Sequence, residues 1–213
     1  MTHYMLLRIV GIFSSLIGVL LILFGGIKTS ENFRVLSDII QNVLVLNIVL
    51  LVFLPKDRDL KVAVLIGGFT MIFDYILETV AFYYGWWYAL GGTQYPPLLV
   101  IPLEMVLSFF VIGTAMGILF TFPQKIRSMD FKLLNWTKFF FKNPKLDYFW
   151  LILLLFLNAL IGTHGDYTAG NEIWVPGPYW HPLYTLIVWF GGGLITLILY
   201  FILKKKIRIE LKK

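Results

Sequence analysis

The chain contains no cysteine. That single absence excludes disulfides, iron–sulfur clusters, thiolate zinc sites and a cysteine nucleophile. Charge is scarce as well: 14% of the 213 residues are charged and 59% are hydrophobic, against about 25% and 45–50% in a soluble domain. So few polar residues cannot cover a water-soluble fold, and the composition defines a membrane protein. No GxGxxG turn and no P-loop occurs, so nothing asks for a nucleotide or a redox cofactor, and none is expected. His164 with Asp166, and His181 with Glu172, match no metal-ligand spacing, so no metal is expected either. The formal charge of +6 would fit nucleic acid if the basic residues made a soluble face. They flank apolar runs instead, which is the pattern of bilayer orientation, and no nucleic-acid partner is expected.

What is present is a series of apolar runs. Six are long enough to cross a hydrocarbon core of about 30 Å, which takes about 20 helical residues: 5–27, 33–54, 62–84, 98–122, 148–167 and 181–203. The first is too long for a signal-peptide core and no small-x-small cleavage site follows it, so it reads as a retained span. The fifth is full length only if Thr163 to Tyr167 continue its helix. The expectation is an all-α polytopic membrane protein, a single integral domain over residues 1–213 with six transmembrane helices. The Lys and Arg distribution agrees: of 18 such residues, all but Lys28 and Arg34 fall on one side of the six spans. The positive-inside rule then puts both termini in the cytoplasm of a multi-pass plasma-membrane protein. The segment 123–147, which alternates Lys with Phe and Trp, reads as an interfacial stretch on the anionic inner leaflet.

Spans three and four resemble spans five and six. A shift of 80 residues matches Pro102 with Pro182, Leu103 with Leu183, Phe110 with Phe190 and Gly113 with Gly193; a shift of 88 matches Glu78 with Asp166 and Trp86 with Trp174. These matches predict a duplicated helical unit over about 62–122 and 148–203, with a site between the copies.

Polar residues gather near one end of the spans. Asp74 and Glu78 are four apart, so a helix puts them on one face, and Glu104 follows Pro102 in the next span. At a rise of about 1.5 Å per residue, Asp38, Glu78 and Glu104 lie roughly 8–9 Å and Asp74 roughly 15 Å below the outer boundary. Asn42 is one turn below Asp38, and His164 and Asp166 close the fifth span at the same side. An ionised Asp at a helix centre costs about 2.5–3.5 kcal/mol on insertion scales, and no Lys or Arg lies among these acids. Desolvation and mutual repulsion then favour the protonated form of at least one of Asp74, Glu78 and Glu104. The loops 85–97 and 165–180 at this end contain no Lys or Arg and are dense in Trp, Tyr, Gly and Pro. An interfacial aromatic belt accounts for most of these rings.

The stretch 73–117, with its carboxylate-bearing helix, the GWWY loop at Gly85 to Tyr88, and IPLE followed by SFF, resembles the lycopene cyclase domain of carotenoid biosynthesis. A fainter echo runs from Asp166 to Gly193. That family carries a Pro-x-Glu-Glu motif; here Met105 stands at the second Glu, and Tyr184 stands where the second unit would have an acid. The resemblance implies an acid-catalysed cyclase, isomerase or hydratase acting on a carotenoid or other polyisoprenoid lipid. It makes Glu104 the proton donor, with Trp86, Trp87 and Tyr88 stabilising a carbocation through their ring faces. Glu78 or Asp74 then removes a proton. Asp38, Asn42, Asp166 and Trp174 would complete the substrate site. Two other classes stay open: a noncatalytic lipid-binding or assembly protein, and a small proton- or cation-coupled transporter, against which the nearly apolar inner half of the spans counts.

Overall fold

The computed structural model describes residues 30–89, 103–128, 139–169 and 174–210, together with residues 9, 11 and 13. The expected first span, 5–27, and the start of the fourth, 98–102, otherwise lie outside the described residues. The chain is mostly helical: α1 (Ser30–Phe53), α2 (Asp57–Tyr83), β1 (Trp87–Ala89), α3 (Leu103–Leu119), α4 (Phe122–Ser128), α5 (Asp147–Ala169), β2 (Trp174–Pro176) and α6 (Pro182–Glu210). Three stretches, Asp57–Tyr83, Pro144–His164 and Pro182–Ile207, are long and apolar enough to cross a membrane, and α3 with α4 makes a fourth if taken together across their 47° bend.

Local chemistry explains the boundaries. Helix α2 starts after an extended Lys56 and has Asp57 and Asp59 in its first turn, where carboxylates interact favourably with the helix dipole. It ends at Tyr83, and two residues on Gly85 takes φ 66°, a conformation glycine adopts without the Cβ clash. The bend between α3 and α4 falls at Phe120 and Thr121, just before Pro123 in the first turn of α4, which has no N–H to donate to the carbonyl of Leu119. Helix α5 continues through Thr163 to Tyr167 and on to Ala169, so the short fifth apolar run is completed by its polar tail.

Helix α3 lies between α1 and α2. Its contact with α2 is a seam of small residues: a Cβ on Gly117 would sit 2.7 Å from the Ala63 Cα, and one on Gly67 would sit 2.6 Å from the Phe110 carbonyl. Ala63 meets Gly117 and Gly67 meets Gly113, so the two helices run antiparallel, and Gly113 and Gly117 form the small-xxx-small pattern of close membrane-helix contacts. On the other side of α3, Ala115 and Ile118 share an apolar cluster with Leu46, Val49, Leu50 and Phe53 of α1. The Asn42 amide donates to the Ser108 hydroxyl across the same contact, and Ser108 is 1% exposed. A hydrogen bond made where water is absent holds two helices in register more firmly than apolar contact alone.

Helix α6 packs on both α2 and α5. Val62 and Ile66 of α2 cluster with Leu197 and Tyr200, and a Cβ on Gly192 would lie 3.2 Å from the Phe73 ring. Trp189 covers Gly162 of α5, and Leu155 fits against Gly193. Arg127 of α4 makes two hydrogen bonds to Asp147 at the start of α5, of 2.5 and 2.7 Å, and a third to the Phe141 carbonyl at 3.0 Å. At the opposite end, β1 and β2 pair antiparallel, with Trp87 facing Pro176, Tyr88 facing Val175 and Ala89 facing Trp174.

Candidate functional site

The site is built where α2 ends, the two strands pair and α6 begins. The last turn of α2 is closed by the Tyr84 N–H on the Val80 carbonyl and the Trp86 N–H on the Ala81 carbonyl, at 3.0 and 2.9 Å. With Gly85 in its left-handed conformation, the chain turns back and β1 lies over the helix it has just left. Trp87 is thereby returned to Glu78, nine residues earlier, and its indole N–H donates to the carboxylate at 2.6 Å. The ring is 7% exposed and packs with Ala81, Trp86, Trp180 and Val188.

The remaining aromatics form a cap around that hydrogen bond. Trp86 lies 6.1 Å from Trp87 and 6.2 Å from Tyr184 of α6, centroid to centroid. Trp180 donates to the hydroxyl of buried Thr185 at 3.2 Å. Tyr88 meets Phe82 edge to face. One turn deeper along α2, about 6 Å by the helical rise, Asp74 is 5% exposed on the face that carries Gly67 and Ala63 toward α3. The arrangement therefore offers one carboxylate oriented by an indole, a second one turn further in, and ring faces beside them. Ring faces attract positive charge, and a carboxylate in apolar surroundings is suited to move a proton.

Asp74, Glu78, Trp86, Trp87 and Tyr88 thus fall in one neighbourhood, and Asn42 falls in another, at the α1–α3 contact. Asp38, Glu104, Asp166 and Trp174 belong to α1, α3, α5 and β2 respectively; their side chains lie outside the described set. The helical position of Glu104 is informative all the same. It precedes Gly113 by nine residues, about half a turn around α3 at 3.6 residues per turn. Gly113 faces α2, so Glu104 shares the α1-facing side of the helix with Ser108. Among the described residues, no three His, Asp or Glu side chains converge as metal ligands would.

Sequence reasoning missed Ser108, Thr185 and Trp180. Ser108 had a legible signal, since it stands four residues after Glu104 in an otherwise apolar run. The Trp180 and Thr185 contact had none, because the pairing depends on how the loop before α6 folds.

These features define a mostly helical membrane-type protein with a carboxylate and indole site at the end of the bundle closed by a two-stranded ladder. No family model, no curated protein and no solved structure matches the chain.

Proposed function

We propose that this protein is an intramembrane acid–base enzyme that isomerises, cyclises or hydrates a linear polyisoprenoid lipid, of the kind the lycopene cyclase resemblance implies. The observation that carries the reading is the Trp87 indole bonded to Glu78 inside an aromatic cap, above buried Asp74. In the reaction a carboxylic acid adds its proton to a carbon–carbon double bond and leaves a carbocation. The faces of Trp86 and its neighbours stabilise that cation, and the carboxylate of Glu78 removes a proton from an adjacent carbon. The acid regains its proton afterwards, so the net change is isomerisation or cyclisation, with no oxidant or reductant needed. If water adds to the cation instead, the product is a tertiary alcohol.

Asp74 takes the role of proton donor here. It lies one turn from Glu78 on the same helix face, whereas Glu104, the donor the resemblance implies, occupies the face of α3 turned to α1. We place the ladder end at the outer face of the plasma membrane, with six spans and both termini cytoplasmic. A duplicated origin rests on the sequence matches at shifts of 80 and 88 residues. The helix packing does not follow it: α2 packs on α6, with no comparable contact of α3 on α5 among the described residues.

The test is chromatography with mass spectrometry on lipids from a host accumulating lycopene, expressing the full chain or its Glu78→Gln, Asp74→Asn or Glu104→Gln variant. A new product of unchanged mass is expected for cyclisation or isomerisation, and one of added water for hydration. It should vanish with Glu78→Gln and Asp74→Asn. Unchanged lipids with good membrane expression would leave a noncatalytic lipid-binding role.

A further inference from the structure

A threonine inside a helix can give its hydroxyl proton to the carbonyl one turn back, and Thr70, Thr79, Thr114 and Thr196 all do, at 2.7–2.9 Å. Thr185 does not. Its hydroxyl accepts the Trp180 indole N–H at 3.2 Å, while the His181 carbonyl, one turn back, accepts the Tyr184 N–H at 2.8 Å. Thr185 is 6% exposed, and among the described residues none accepts its proton. A hydroxyl is a donor as well as an acceptor, and a donor buried without a partner is costly.

The register of α6 on α2 places this donor at the cap. The face of α6 that carries Thr185 also carries Val188 and Gly192, at steps of three and seven residues. Val188 and Trp180 pack against Ala81 and Trp87, and Gly192 meets the Phe73 ring. The two helices run antiparallel, with Val62 and Ile66 clustered near Leu197 and Tyr200 toward the other end. Seven residues toward the ladder from Gly192 is Thr185, and seven toward the ladder from Phe73 is Val80. Thr185 therefore lies about 3 Å above Glu78 in level and about 9 Å above Asp74.

We propose that the ligand of the cap carries a hydroxyl group whose oxygen accepts from Thr185, so that the substrate is an isoprenoid alcohol rather than a pure hydrocarbon. The proposal rests on the reading of the cap as an isoprenoid site and narrows it. The order of groups along the bundle fits such an amphiphile. Its polar head meets Thr185 nearest the ladder end, and its apolar chain runs inward past Glu78 and Asp74. A hydroxyl oxygen accepts from Thr185 and keeps one proton to give, with the Glu78 carboxylate within a turn. A hydrocarbon end leaves the Thr185 donor buried and unused. An anionic head is disfavoured by Glu78 and Asp74, because no Lys or Arg occurs within 62–124 or 146–203. Arg34 belongs to α1, which packs on the other side of α3, and His181 uses its Nδ1 to accept the Leu183 N–H at 3.1 Å.

The test is binding of tritiated geranylgeraniol to the full-length protein in detergent micelles, and its displacement by the same chain with hydrogen in place of the hydroxyl. The ratio of the two affinities is compared among variants in one micelle, so that partition into detergent cancels. In Thr185→Val the ratio should fall about two- to tenfold, the span of one net hydrogen bond. In Thr185→Ser, which keeps the hydroxyl, it should stay at the wild-type value. It should also stay there in Trp180→Phe, which removes the indole donor but not the Thr185 proton. A ratio unmoved by Thr185→Val overturns the proposal. So does an equal fall in Trp180→Phe, which marks the Trp180 contact as the cause, and so does a loss of both lipids alike in Thr185→Val, which marks a packing role. Failure of the wild-type chain to bind either lipid overturns it together with the isoprenoid reading. A new product from lycopene with an unmoved ratio leaves the enzyme reading standing without this inference. A ratio that follows Thr185 in a chain that alters no lipid refutes the enzyme reading alone.

Discussion

Replacing Trp87 with Phe keeps an aromatic ring beneath the cap and deletes the indole N–H that donates to Glu78. A hydrogen bond to a charged partner contributes about 1.5–3 kcal/mol, and to a neutral one about 0.5–1.5. Glu78 is half-buried, so water partly replaces the lost donor and the hydrogen-bond component falls at about 1–2 kcal/mol. The ring is 7% exposed, and the smaller phenyl leaves a gap beside Ala81 and Val188 that adds about 1 kcal/mol. The single variant is expected to lose about 2–3 kcal/mol. Only part of that is the bond, and a double-mutant cycle isolates it. Glu78→Leu and Trp87→Phe are combined, and the four proteins are unfolded by denaturant in mixed micelles with tryptophan fluorescence as the probe. A coupling energy of about 1 kcal/mol or more is expected, since contacting partners are not additive. If the two effects add within about 0.3–0.5 kcal/mol, the scatter of independent sites, the indole does not hold the carboxylate and the account of the cap fails.

At the α2–α3 seam, Gly117→Val forces a side chain against the backbone of Ala63, 2.7 Å from the new Cβ, and is expected to cost about 1–3 kcal/mol. Gly68→Ala, where no atom lies within 4 Å of the new methyl group, should leave the melting temperature unchanged; equal effects would show that the seam is not tight. Gly85→Ala puts a Cβ on a residue at φ 66° and is expected to cost about 1–2 kcal/mol, with Gly85→Asn closer to wild type in the same thermal melt. Asp147→Asn removes the charge that holds Arg127. We expect about 1 kcal/mol of stability lost, read as a lower melting temperature; an unchanged melting temperature would sink the idea that this pair joins α4 to α5.

How much of this was legible in the sequence varied with the kind of interaction. Long apolar runs signal helices by length alone, so α2, α5 and α6 could be read directly, and Asp74 and Glu78 could be put on one face by counting. The polar Thr163 to Tyr167 carried no such signal, and only the structure shows α5 continuing through them. The return of Trp87 to Glu78 was not legible either. It needs a backbone reversal at Gly85, and a loop rich in Trp and Tyr reads equally well as an interfacial belt. Glu104 shows a third case. Depth along a span is a matter of counting residues, and counting placed it level with Glu78. The face it occupies depends on which helices flank α3, and that was set by Gly113 and Gly117 on one side and Ser108 on the other.

The ladder ties together chain segments more than 80 residues apart. Glu78 belongs covalently to α2, yet its hydrogen-bond donor is carried on a strand whose partner strand leads within a few residues into α6, through the Gly177 and Tyr179 N–H bonds to Trp86 and Gly85. The first turn of α6 is thus linked to the indole through the ladder, beside the direct packing of α6 on α2. The orientation of that carboxylate is in effect a gauge of the spacing between the two helices, and whatever spreads or closes them resets it.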